Sequence, residues 1–93
     1  MKKLRIYVSG RVQGVGFRFT TYNLAHEIGN LGGLVRNLSD GRVYIEVTGH
    51  DIHVTKFLNA LETSHSVVAQ VDNIEVIEDP DIIVTDKFRI EGY

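Results

Sequence analysis

Residues 10–18 read GRVQGVGFR, with three glycines and two arginines in nine residues, directly after a strand-like run. Glycine lets a backbone enter positive φ, and lets successive N–H groups converge into a nest for an anion. Arginine presents a planar fork of donors that matches a phosphoryl group. Gly14, Gly16 and Arg18 together have the makings of a phosphate cradle with little side-chain bulk. A glycine-rich turn between strand and helix needs no ligand, so spacing alone leaves both readings open. Two nucleotide fingerprints are excluded. G-x-G-x-x-G would need glycine where Phe19 stands, and G-x-x-x-x-G-K-[ST] finds no Lys-Ser or Lys-Thr after its second glycine.

Other chemistry-bearing residues point nowhere as specific. The chain has no cysteine, which excludes disulfides, thiol catalysis and cysteine-ligated metal. His50 and His53 stand three apart near a helix start, and His26 and His65 are isolated, so the reading is exposed or capping histidine and no metal site. Arg11 is read as a surface charge beside the loop. Asn37-Leu38-Ser39 is formally a glycosylation sequon, read as chance because no secretion signal precedes it. Tyr7 and Tyr44 are expected together on the sheet face away from the helices, where aromatics can stack RNA bases. The basic and aromatic signature of such modules is missing, and a net charge of −2 advertises no nucleic-acid partner.

The elements that must position the cradle follow from periodicity. With 93 residues and 43% hydrophobic content, one soluble domain spanning 1–93 is expected. Leu4, Ile6 and Val8 alternate with Arg5, Tyr7 and Ser9, a strand with one buried face. Phe17, Thr21, Leu24, Ala25 and Ile28 recur at helical spacing and stop at Gly29, followed by the breaker-rich GNLGG. LVRNL and RVYIEV flank Ser39-Asp40-Gly41, where Asp-Gly is read as a hairpin signal because both central positions favour positive φ. Val54, Phe57, Leu58 and Leu61 predict a second helix capped by Asp51. VAQVDNIEVIE is a strand with a phase change at Asp72-Asn73, where a bulge is expected. After the loop with the single proline, KFRIEGY closes as a short strand with Phe88 and Ile90 inward.

The order β-α-β-β-α-β predicts an α+β, ferredoxin-like α/β sandwich: two helices on one face of an antiparallel sheet, plus a short C-terminal strand. The glycine-rich stretch then sits where the first helix begins, with unpaired N–H groups and a dipole that favour an anion. No stretch approaches the roughly 20 apolar residues of a membrane span. The cytoplasm is the expected compartment, with no membrane partner.

VSGRVQGVGFR, with GLVRNLSDGRVYIEVTG downstream, resembles the acylphosphatase family. The pattern V-x-G-x-V-Q-G-V-x-F-R is matched at every fixed position from Val8 to Arg18, and fainter similarity runs through VAQVDNIEV to FRIEGY. The resemblance implies hydrolysis of the carboxyl–phosphate bond of acyl phosphates, with inorganic phosphate as product, no metal, no cofactor, and a cytosolic monomer. Carried over by position, it implies that Arg18 binds phosphate and Asn37 orients water. The loop amides fall on Gln13, Gly14, Val15, Gly16 and Phe17. Acylphosphatase-like domains also occur inside larger carbamoyl-transferring maturation proteins, and the second reading is a free-standing, non-catalytic acyl- or carbamoyl-phosphate-binding module of the same fold. The chain departs from the family in a link, IGNLGGLVRN, one residue longer than usual, and in Leu34 where an aromatic is usual. Both departures are expected to bear on packing near the acyl group.

Overall fold

The computed structural model describes residues 1–14, 16–63 and 69–92. In chain order the elements are β1 (Lys2–Arg11), α1 (Phe17–Ile28), β2 (Gly32–Asn37), β3 (Val43–Gly49), α2 (Asp51–Thr63), β4 (Gln70–Glu78) and β5 (Phe88–Ile90). The strands form one sheet in the order β4-β1-β3-β2-β5. Alternation sets its two faces. Leu4, Ile6 and Val8 of β1 and Val43, Ile45 and Val47 of β3 are buried on the helix side. There they meet Phe17 and Ala25 of α1 and Val54, Phe57 and Leu61 of α2 in the main core. Each such fully buried side chain contributes about 1.5–3 kcal/mol, so a slip of one residue in any central strand is strongly disfavoured.

The first four strands pair antiparallel, as expected. β5 instead pairs parallel with β2, so the five-stranded sheet is mixed. The chain leaves β4 at one edge, crosses the open face of the sheet and returns at the other edge. A strand after that reversal runs opposite to β4, which is the direction of β2. Asp79 anchors the crossing segment, since its N–H donates to the carbonyl of Lys3 (3.0 Å) and its carboxylate accepts from Arg5 Nε (2.7 Å). Ile82 of the same segment is buried.

Three local expectations shift. β2 starts at Gly32 and not after the glycines, because both are strand residues at close backbone approaches. A Cβ on Gly32 would stand 1.9 Å from the carbonyl oxygen of Thr85, and one on Gly33 1.9 Å from that of Glu46. The hairpin loop is Ser39–Gly41, as the flanking runs predict, but its backbone differs from the expectation of positive φ at both central residues. The N–H of Gly41 donates to the carbonyl of Leu38 (3.3 Å) and the N–H of Leu38 to that of Arg42 (2.8 Å), with positive φ only at Gly41. That is a turn closed by a glycine bulge, the next commonest hairpin after the two-residue one. Finally, the carbonyl of His50 accepts the first bonds of α2, from His53 (3.0 Å) and Val54 (3.1 Å). His50 is therefore the cap. Asp51 lies inside the first turn, where its carboxylate still faces the positive end of the helix. The bulge expected at Asp72-Asn73 is present. Ser9 pairs with Asn73 and Gly10 with Val71, leaving Asp72 as the extra residue.

Candidate active site

The loop between β1 and α1 carries the geometry that a phosphate cradle requires. Gly14 has φ 73° and Gly16 φ 82°, and a Cβ on either would meet nothing within 4 Å. These glycines serve backbone curvature and open space; no neighbour presses on them. Gly16 also caps α1, and as a glycine it makes no side-chain cap bond. The positive end of α1 is thus directed into the loop. Val15 lies outside the described residues, as does His65.

The fold brings Asn37 to this loop from the end of β2. Val12, Gly14, Gly16, Phe17, Arg18, Phe19 and Asn37 line a cavity of about 140 Å³. At about 30 Å³ per water, it has room for a phosphoryl group and one attacking water. Asn37 alternates onto the helix side with Val35. Its Oδ1 is buried without a hydrogen-bond partner among the described residues. An orphaned buried carboxamide oxygen, on a residue that lines such a cavity, is an acceptor waiting for a donor. Larger hollows exist, of about 630 Å³ between α1 and β5 and about 430 Å³ on the open face. Neither includes the glycine loop, so chemistry and not size singles out the smaller one.

Arg18 lines the cavity from the first turn of α1. Its Nη1 donates to the carbonyls of Glu91 (2.5 Å) and Gly92 (3.0 Å), just beyond β5. A Cβ on Gly92 would stand 2.7 Å from that Nη1, so glycine permits the approach. β5 in turn is tied to α1 by His26, whose Nε2 donates to the carbonyl of Phe88 (3.1 Å). Periodicity gave no hint of this second support for Arg18, because backbone carbonyls leave no side-chain signature. Gln13 also does more than expected of a loop amide. Its Nε2 donates to the carbonyls of Leu38 (2.8 Å) and Arg42 (2.9 Å). The signal was a two-donor side chain within an otherwise glycine and aliphatic loop.

The remaining candidates fall away from the cavity. Leu34 faces the hollow shared by Arg5 and Ile82, on the opposite side of the sheet, so its departure from the family does not bear on the cradle directly. Tyr7 and Tyr44 do pair, with ring centroids 5.1 Å apart. Arg42 covers Tyr7 at 4.7 Å and Arg36 covers Tyr44 at 5.2 Å, so guanidinium groups occupy the faces on which bases would stack. Burial, and then its hydrogen bond to Glu46, push the Tyr44 phenol up to about 12. Arg5 also donates to Tyr44 and to Glu46. This is a structural network. Among the described residues no three His, Asp or Glu side chains are grouped to hold a metal, and no helix is long and apolar enough to cross a membrane.

Comparison with known proteins identifies the family of the chain and of its fold. The acylphosphatase family profile matches residues 4–90. An acylphosphatase of Archaeoglobus fulgidus is 50% identical over 76 residues, covering 82% of this chain and 83% of its own. The crystal structure of acylphosphatase from Bacillus subtilis superposes with a TM-score of 0.89 at 36% identity, over 99% of this chain and 100% of that one. Full-length HypF, in its phosphate- and nucleotide-bound form, contains a similar segment. The TM-score is 0.87 at 35% identity, over 98% of this chain but 12% of that one. From the cradle loop through the hairpin to the sheet order, the chain belongs to the acylphosphatase family of hydrolases.

Proposed function

We propose that this chain hydrolyses acyl phosphates to carboxylate and inorganic phosphate, with the phosphoryl group in the β1–α1 loop. The observation that carries the reading is the buried Oδ1 of Asn37, without a partner among the described residues, beside two positive-φ glycines at the start of α1. The amides of Gln13, Gly14, Val15, Gly16 and Phe17, with Arg18, hold the phosphoryl oxygens. Asn37 accepts a hydrogen bond from the attacking water and sets it in line. The leaving carboxylate is the base of an acid with a pKa of about 4, so it departs without a general acid. Phosphoryl transfer then depends on positioning and charge stabilisation. A carboxamide is a poor base, and the water's proton passes to a phosphoryl oxygen of the substrate. No residue in this scheme calls for a metal or cofactor. The protein acts as a single-domain monomer in the cytoplasm, on a small-molecule substrate, without nucleic acid or membrane.

The likeness to a segment of HypF favours a second reading, a binding module that holds an acyl or carbamoyl phosphate without turnover. Hydrolysis of benzoyl phosphate in excess chelator, with Asn37→Ala beside the wild type, separates the two. Turnover that falls by about a hundredfold in the variant, with phosphate affinity kept, is the expected result. A wild-type protein that binds phosphate but never turns over supports the module. An Asn37→Ala variant as fast as wild type removes the water-orienting role.

A further inference from the structure

The two halves of the site stand on elements that do not pair. The cradle and Arg18 belong to the β1–α1 stretch and Asn37 to the end of β2, while β3 separates β1 from β2 in the sheet. In-line attack needs water and phosphorus within about 3–3.5 Å, in a fixed direction. Something must hold one half against the other. The side chain of Gln13 is placed to do so.

Its carboxamide nitrogen reaches two carbonyls, Leu38 at 2.8 Å and Arg42 at 2.9 Å, across 25 and 29 residues of sequence. Both partners can only accept, which fixes the nitrogen toward them and uses both of its protons. Leu38 follows Asn37 directly, and Arg42 precedes Val43, the residue paired with Asn37 across the hairpin. Leu38 and Arg42 are themselves joined by a 2.8 Å backbone bond. The bonds therefore grip the neck of the hairpin one residue from Asn37, and they start one residue before Gly14. Gln13 is half-buried, so water competes poorly for its partners.

We infer that Gln13 is a positioning residue for hydrolysis. Its side chain locks the phosphate cradle to the hairpin that carries Asn37, and so sets the distance and angle between bound phosphoryl group and attacking water. The inference rests on the roles proposed for Arg18 and Asn37. It differs from a loop-amide role, because any residue except proline supplies an amide, whereas only a side chain of this length with two donors spans to both carbonyls.

Gln13→Leu keeps the size and the backbone amide and removes both donors. With benzoyl phosphate as substrate, and inorganic phosphate as competitive inhibitor, its kcat falls about ten- to a hundredfold while the inhibition constant stays within about threefold. Gln13→Glu sets a carboxylate against two carbonyl oxygens, and protonation returns one donor. At neutral pH this variant is as slow as Gln13→Leu. Its rate relative to wild type recovers in part as pH falls through the carboxyl range of about 4, which the facing carbonyls raise and the cations of Arg11, Arg18 and Arg42 lower. Those arginines and Asp40 are common to all three proteins, so only their action on the introduced carboxyl enters the ratio. Wild-type kcat in Gln13→Leu overturns the inference. So does loss of rate and phosphate affinity in equal proportion, or a Gln13→Glu rate ratio that ignores pH. If Gln13→Leu does not fold, the acid recovery of Gln13→Glu decides alone. Arg18→Gln and Asn37→Ala run alongside. Wild-type behaviour in those variants would mean that the site itself was misassigned, a failure separate from that of Gln13.

Discussion

Arg18 carries two demands at once. Its Nη1 is held by the carbonyls of Glu91 and Gly92, while the guanidinium also borders the cradle. A planar fork meets both demands because its donors point in fixed, divergent directions. Lysine keeps the charge but concentrates it at one freely rotating head. Arg18→Lys is therefore expected to lose about a hundredfold or more in kcat/KM with acyl phosphate, comparable to removal of a preorganised donor. Steady-state kinetics check this, and a lysine variant within a few fold of wild type would show that charge alone suffices. Arg18, Gly14 and Gly16 stood out as candidates in the sequence because their types are chemically specific, while the choice of a phosphate site over a bare turn came from the family resemblance. Asn37 was placed by family resemblance. Its buried, unpartnered oxygen became visible only once β2 lay beside the loop.

Among the elements, β2 shows why glycines can mislead a reading by propensity. Gly32 and Gly33 look like breakers, yet they pair with Thr48 and Val47 in the ladder. The reason lies in their neighbours. At Gly33 the backbone has φ 131°, and a Cβ would fall 1.9 Å from the Glu46 carbonyl oxygen. Gly33→Ala combines that overlap with a strained backbone, and is expected to cost about 2–4 kcal/mol of stability. Chemical denaturation reads it directly, and a loss under about 1 kcal/mol would show that the strand relaxes around the methyl group. Asn37 lies at the end of the same strand, so any surviving fold should also show reduced turnover. The hairpin's length followed from its flanking runs, but its backbone did not. Asp-Gly favours positive φ at both central residues, whereas the pairing of Leu38 with Arg42 leaves it at Gly41 alone.

Across the molecule, the segment between β4 and β5 fastens the open face and delivers the strand that supports Arg18. Its anchor is electrostatic. Hydrogen bonds from Arg5 first, and then from the N–H of Asp81, hold the Asp79 carboxyl below the usual carboxylate range. A carboxylate depressed in the folded state adds stability that is fully present above its unfolded value of about 4. That contribution is lost as pH falls through the lower folded value. Thermal unfolding of wild type and Asp79→Asn across this range should therefore show a gap in Tm that is widest above about pH 4 and closes on acidification. A gap that widens toward acid would reverse the sign and remove Asp79 as the anchor.

The amino-acid order alone was enough for the strands and helices with clear periods, the sandwich they build, and the position of the glycine-rich loop at the start of α1. These depend on local geometry: which face a residue takes in a strand or helix, and what glycine and arginine can do within a few residues of each other. It was not enough for the parallel pairing of β5, the carbonyls of Glu91 and Gly92 on Arg18, or the grip of Gln13 on Leu38 and Arg42. Those contacts join residues 25 to 74 positions apart through backbone carbonyls. Every residue carries a carbonyl, so none of them is marked in a sequence as a partner. The folded chain selects among them by the distances it leaves.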